Sequence, residues 1–171
     1  MKSCLEEGHP FHDFRAFLVA VWGLLGLPEP TKIQLDMAYH LQHGGDREIL
    51  QAFRGIGKSW ITCAFAAWIL LHDPNMKIEI VSAGEGLAID NATFIARLLR
   101  EIPFLQHLQP STDQRSSKLN FDVGPAAASK DPAIKAVGIL GMITGTRADY
   151  IIADDIEIPK NSDSQGQRDK I

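Results

Sequence analysis

Apolar residues recur along this chain with two different spacings, which alternate from one segment to the next. Helical spacing predicts helices over residues 11–25, 31–41 and 59–72, the second of which opens on a threonine, a typical N-cap. A fourth helix is predicted after Gly84, because the apolar residues between 95 and 102 recur at i, i+3, i+4 and i+7. The helix over 59–72 is apolar on nearly every side, so we expect it to be buried.

Short apolar runs between these helices predict strands. They cover residues 49–53, 77–82, 118–123, 134–140 and 150–153, and the third and fourth are expected to form a hairpin-like pair. Strands that alternate with helices favour an α/β fold, a mostly parallel sheet flanked by helices.

Composition indicates one ordinary globular domain. The 171 residues are 45% hydrophobic and 22% charged, and the net charge of −4 gives no global basic field. Cys4 and Cys63 are too far apart in sequence to suggest a disulfide framework, and Cys63 is predicted to lie in the core. The apolar stretch over residues 16–27 is too short to span a bilayer and lacks a cationic head, so no membrane segment or signal peptide is predicted.

The first candidate for chemistry is the segment Gln51-Ala-Phe-Arg-Gly-Ile-Gly-Lys-Ser59. A Gly-Lys-Ser turn between a strand and a helix cradles nucleotide phosphates with backbone N–H groups, the lysine ammonium and the serine hydroxyl. The full pattern calls for glycine where this chain has Ala52, so the match is a variant. The alternative is an ordinary turn with a solvated lysine.

The second candidate is Tyr150-Ile-Ile-Ala-Asp-Asp-Ile-Glu157. A buried parallel strand reads as a continuous apolar run, and ligands of open α/β sheets bind at the carboxyl ends of strands. The run therefore predicts that Asp154 and Asp155 reach the same sheet edge as Lys58. One carboxylate there would hold Mg²⁺ and another would orient or deprotonate the attacking water.

These motifs, taken in order with several shorter ones, resemble the large terminase subunit of tailed bacteriophages, in the short-tailed-phage branch. The resemblance runs from about residue 27 to residue 170. The further segments that carry it are Pro30-Thr-Lys-Ile-Gln34, Ile80-Val-Ser-Ala83, Phe121-Asp-Val-Gly-Pro125 and Gly145-Thr-Arg-Ala-Asp149. It implies a P-loop NTPase fold of the RecA/helicase-like type, with Walker A and Walker B motifs.

The resemblance implies a set of site residues. The predicted cofactor-binding residues, for ATP, are Gln34, Arg54, Gly55, Ile56, Gly57, Lys58, Ser59 and Trp60. Within that set, Lys58 is expected on the β/γ-phosphates, Ser59 on Mg²⁺ and Gln34 on adenine, whose edge an amide can both donate to and accept from. The alternative for Gln34 is a solvated helix residue.

The acidic motif supplies the remaining roles. Asp154 resembles the metal-holding acid, and Asp155 stands where many relatives carry a catalytic glutamate. Glu157 is the alternative base, because Asp155 is shorter by one methylene. Arg54 and Arg147 are alternative arginine fingers, the latter acting on a neighbouring subunit's nucleotide, and either is otherwise a surface ion pair.

The family implies an ATPase motor that pumps double-stranded viral DNA into a procapsid, with a separate nuclease domain. The implied partners are the portal protein and the small terminase subunit, in a homo-oligomeric ring in the host cytoplasm. The expected division is a helical lead over residues 1–27 and a partial ATPase domain over 28–171, incomplete at its C-terminus, without the nuclease domain. Because the ATPase domain would be partial, we expect the isolated chain to bind ATP poorly and to hydrolyse it slowly. The alternatives are a helicase-like P-loop ATPase and a non-catalytic interaction module.

Overall fold

The computed structural model describes residues 4–141 and 147–156. Their helices begin and end as follows: a 3-10 turn Pro10–His12, α1 Phe14–Leu24, α2 Lys32–His43, α3 Lys58–His72, α4 Glu85–Glu101 and a 3-10 turn Pro103–Leu108. The strands are β1 Ile78–Ser82, β2 Asn120–Phe121, β3 Ile134–Gly138 and β4 Tyr150–Ala153. The predicted α/β class, with a mostly parallel sheet and flanking helices, is confirmed.

The sheet has the strand order β2-β3-β1-β4. β1 pairs in parallel with both β3 and β4, whereas β2 pairs antiparallel with β3, as the predicted hairpin-like pair required. The predicted strand over 118–123 shrinks to two residues, because Ser117 already turns the chain by binding the Asn120 carbonyl through its amide and its hydroxyl.

One hydrophobic core joins the helices to one face of this sheet. Ile78, Ile80, Ile134 and Ala136 lie on that face, since alternate strand residues share a side. α4 packs directly on β1 and β3, and α3 packs on α4 and α1. The N-terminal lead is part of the same core, because α1 buries its apolar stripe completely at several positions.

The predicted strand over residues 49–53 is wrong. The segment forms no regular structure, and Ile49 and Phe53 are 90% and 63% exposed. Strand propensity reflects packing and pairing with a neighbour, and within the described residues no strand lies beside this segment. Among the described residues, β4 is an edge strand, and its Ile151 is 61% exposed.

The described helices include none that is long and apolar enough to cross a membrane.

Candidate nucleotide-binding site

The loop before α3 has the backbone conformation that small residues permit. Gly55 and Gly57 have φ of +90° and +88°, in the left-handed region where a side chain is strained. Gly57 is the N-cap of α3, and no side chain of the described residues makes a cap hydrogen bond to the helix start. Helix starts that bind anions likewise leave their first N–H groups for the anion.

The Lys58 ammonium closes this loop on itself. Its Nζ donates to the Ala52 carbonyl oxygen at 3.1 Å and to the Phe53 carbonyl oxygen at 3.4 Å. Lys58 is the first residue of α3 and is half-buried. The charge that the sequence predicted for a phosphate thus lies inside the loop, on two exchangeable neutral acceptors.

Gln34 joins the loop to α2. Its Oε1 accepts from the backbone N–H of Thr31 at 2.8 Å, which together with the Thr31 side chain forms a capping box. Its Nε2 donates to the Ile56 carbonyl oxygen at 2.9 Å. Gln34 is therefore not the solvated helix residue of the alternative interpretation, since it contacts the loop directly. Its contact with adenine stays a prediction.

The two aspartates follow β4 at the carboxyl edge of the sheet. The Asp154 N–H donates to Val81 at 2.9 Å, and the Asp155 carbonyl accepts from Ala83 at 3.2 Å, so both backbones extend the pairing with β1. Asp155 is exposed and has a φ of +47°, which aspartate tolerates better than most residues. Glu157, the alternative base, lies outside the described residues.

The Asp154 carboxylate is held by a residue that the sequence reading missed. Asn91 of α4 donates from Nδ2 to Asp154 Oδ2 at 3.1 Å. The Asn91 carbonyl in turn accepts from Cys63 Sγ at 3.7 Å. Asn91 lies three residues after the buried Ala88 and four before the buried Ile95, so it is on the apolar stripe of α4. A polar residue on that stripe was the sequence signal that could have identified Asn91 as a site residue.

Cys63 links this carboxylate to α3, the helix that follows the predicted phosphate loop (residues 51–57). It lies in α3 five residues after Lys58, about 7.5 Å along the helix axis, and is buried as predicted. Burial raises the pKa of the Cys63 thiol, and the negative charge of Asp154 adds to this. Asp154 therefore lies near the N-terminal half of the helix that Lys58 begins.

Ser59 and Trp60 continue the loop into α3. Ser59 is half-buried, and its carbonyl accepts from Thr62 Oγ1 at 3.1 Å. The Trp60 indole is turned towards α1 and α4, with ring centroids 4.7 Å from Phe94 and 6.3 Å from Trp22. It lines a groove of about 300 Å³ between these helices. Its side chain thus contacts hydrophobic neighbours, and its role in binding nucleotide stays a prediction.

The two candidate arginine fingers occupy different places. Arg54 is exposed within the phosphate loop. Arg147 lies beside Lys77, Glu79 and Lys135, where β1 and β4 begin. Because β1 and β4 are parallel, this is the opposite end of the sheet from Asp154. The structure therefore brings Arg54, and not Arg147, to the loop of the same chain, and action on a neighbouring subunit's nucleotide stays a prediction for Arg147.

The donor atoms available near the loop suit magnesium. Ser59 offers a hydroxyl and Asp154 a carboxylate, both hard oxygen ligands, and Mg²⁺ is usually held by one or two protein groups together with substrate phosphates. The described residues contain no cluster of three or more His, Cys, Asp or Glu side chains able to hold a metal by themselves. The hydroxyl of Ser59 and the carboxylate of Asp154 are therefore the donor groups that would fit Mg²⁺ here, and their binding of the ion stays a prediction.

Comparison with known proteins shows what this chain is related to. No protein-family model matches the chain. Over 160 residues, 93% of its length, the chain is 55% identical to the "Terminase, large subunit" of Enterobacteria phage T3, and it spans 27% of that protein. The resemblance seen in the sequence is confirmed: over nearly all of its length, this chain is homologous to part of a phage terminase large subunit.

Proposed function

We propose that the chain is the ATPase-motor part of a terminase large subunit, a P-loop NTPase that binds ATP with Mg²⁺ and drives double-stranded viral DNA into a procapsid. Its partners on this proposal are DNA, the portal protein and the small terminase subunit, with a homo-oligomeric ring in the host cytoplasm. The name of the T3 relative supports the packaging role.

The observation that carries the proposal is the set of contacts between the acidic motif and the phosphate-loop helix. Asp154 binds Asn91, and Asn91 accepts from Cys63 of α3, the helix that starts with Lys58. Lys58 begins α3, and Asp154 approaches the same helix through Asn91 and Cys63. An ammonium for the phosphates and a carboxylate for Mg²⁺ are the two charges that a Mg²⁺–triphosphate needs.

The residues would act as follows. Lys58 exchanges its contacts with Ala52 and Phe53 for phosphate oxygens. Ser59 and Asp154 would hold Mg²⁺, which would neutralise negative charge on the phosphates. Asp155, exposed at the same sheet edge, orients or deprotonates the attacking water, with Glu157 as the alternative base.

Nucleotide binding by the 171-residue chain tests this proposal. A fluorescent ATP analogue is titrated to millimolar concentration with Mg²⁺ in excess, so that weak binding is also measured. We expect Lys58→Ala to weaken binding at least 10-fold, because a charge-assisted contact to phosphate is lost. The matched control is Lys118→Ala, which removes an exposed lysine beside β2, the strand at the other side of the sheet.

Equal binding by the wild type and Lys58→Ala would overturn the proposal. Absence of binding by the wild type would favour the interaction-module alternative. If binding is present, stimulation of turnover by portal protein supports a packaging motor, whereas stimulation by single-stranded DNA supports the helicase-like alternative.

A further inference from the structure

The contact between Asn91 and Asp154 is a half-buried, charge-assisted hydrogen bond. Both side chains are half-buried, and their 3.1 Å hydrogen bond joins an amide donor to a carboxylate. A hydrogen bond to an ionised acceptor is roughly twice as strong as one between neutral groups. Of the two carboxylate oxygens, only Oδ2 is used in this way within the described part of the chain.

Asn91 is itself held in place from two sides. Its own helix packs through Ala88 and Ala92, both with no exposed surface, so the backbone at Asn91 lies close to the sheet. The Asn91 carbonyl accepts from Cys63 of α3. A side chain whose backbone is fixed in this way can hold its partner in one orientation.

A second hydrogen-bond donor, the Ser82 hydroxyl, lies beside Asp154. Ser82 ends β1, one residue beyond the pairing of Val81 with Ala153, and therefore stands next to Asp154 in register. The Ser82 hydroxyl is buried and has no hydrogen-bond partner among residues 4–141 and 147–156. Without Asn91, this hydroxyl would be a competing donor for the carboxylate.

We infer that Asn91 is a positioning residue for the proposed magnesium ligand Asp154: it holds Oδ2 and leaves Oδ1 for the ion or its bound water. The inference rests on the proposed function, because it gives Asp154 the role of metal ligand. Groups that orient a metal ligand typically change metal affinity by 10- to 100-fold when they are removed.

Magnesium dependence, measured separately from nucleotide affinity, tests the role of Asn91. The fluorescent ATP analogue is bound to the 171-residue chain at increasing Mg²⁺ concentration, and again in EDTA. We expect Asn91→Ala and the nearly isosteric Asn91→Leu to raise the Mg²⁺ midpoint about 10-fold. Their nucleotide affinity in EDTA should stay within about twofold of the wild type, because Lys58 and its loop are unchanged. Asn91→Ser, which keeps a shorter donor, should lie between them and the wild type.

Two controls separate positioning from general damage. Asn75→Ala removes an asparagine from the turn before β1, at the opposite end of the sheet, and should leave the Mg²⁺ midpoint unchanged. Ser82→Ala removes the unpaired hydroxyl and should also leave it unchanged. Circular dichroism of each variant shows whether it is folded.

The results distinguish this inference from the proposed function. If the wild type binds nucleotide through Lys58 but folded Asn91 variants keep the wild-type Mg²⁺ midpoint, the positioning role is wrong and the proposed function stands. If those variants lose affinity equally in EDTA and in Mg²⁺, Asn91 acts on the structure of the site and the inference is again overturned. If the wild type binds no nucleotide, or Lys58→Ala binds as well as the wild type, both the proposed function and the inference fail.

Discussion

At the scale of single residues, the loop before α3 depends on a contact made from outside it. Gln34 stands 22 positions before Ile56, yet its amide group spans the distance between the Thr31 N–H and the Ile56 carbonyl. One side chain thus caps α2 and fixes the loop. A local pattern identifies the capping box, but it contains no information about the second contact.

Two substitutions separate the two functions of Gln34. Gln34→Met removes both hydrogen bonds and should lower the free energy of unfolding by about 1–2 kcal/mol. Gln34→Glu keeps an acceptor for the Thr31 N–H but replaces the donor to the Ile56 carbonyl oxygen with a second acceptor, so any loss that it shows reports on the contact with the loop. Urea unfolding of the three proteins measures the order. Equal stability of Gln34→Met and the wild type would show that neither bond contributes.

At the scale of secondary-structure elements, α1 is a structural part of the core. Its stripe of Phe14, Phe17, Leu18 and Val21 has no exposed surface, and the Phe14 ring lies 5.1 Å from that of Phe65 in α3. The sequence suggested a helical lead ahead of the ATPase part. The packing shows that this lead supports α3.

A pair of substitutions on α1 tests this role. Phe17→Ala should lower the free energy of unfolding by about 3–5 kcal/mol, because it opens a cavity in a fully buried position. Val19→Ala, on the same helix but at a residue 46% exposed, should change it by no more than about 0.5 kcal/mol. Urea unfolding followed by circular dichroism measures both, and similar losses at the two positions would contradict the packing of α1.

At the scale of the whole molecule, the start of the described chain is attached to the end of α3. The Cys4 N–H donates to the His72 carbonyl at 2.6 Å. His72 Nε2 and Trp68 Nε1 lie 3.0 Å and 2.7 Å from the Phe11 carbonyl oxygen, which accepts from both. Since a carbonyl only accepts, Nε2 of His72 must carry a proton.

This attachment should make folding sensitive to acid. Burial lowers the pKa of His72, and the nearby charges of His12 and His9 lower it further, against the raising effect of the bond to Phe11. The unfolded chain therefore takes up a proton first as pH falls. The stability due to neutral His72 is complete above about pH 6.5 and is lost below it, by at most about 1.4 kcal/mol per pH unit.

Urea unfolding at pH 7.5 and 5.5 measures this loss. The difference in unfolding free energy between the two pH values should be smaller in His72→Gln than in the wild type, whatever the variant's absolute stability. His107→Gln, which replaces an exposed histidine, should keep the wild-type difference. An unchanged difference in His72→Gln would show that His72 does not titrate in this range.

The local pattern of apolar residues was sufficient to predict most secondary-structure elements of this protein. The period of apolar residues identified α3, α4, β1 and β4 to within a few residues, and the burial of α3 followed from its apolar composition. These properties depend on neighbours three or four positions away in a helix and two in a strand, so they are written in short stretches of sequence. The order of the motifs likewise sufficed to recognise the relationship to the terminase large subunit, which the T3 protein confirms.

Tertiary structure alone decided the rest, because those features depend on residues distant in sequence. The segment over 49–53 has strand-like residues but no neighbouring strand among the described residues. Its backbone groups therefore cannot form ladder hydrogen bonds, and the segment remains irregular. Asn91 meets Asp154 across 63 positions, and Arg147 lies at the opposite sheet end because parallel strands carry their beginnings to one edge. Sequence determined most of the elements that form; the packing of those elements determined which strand-like segments pair in the sheet and which side chains share a site.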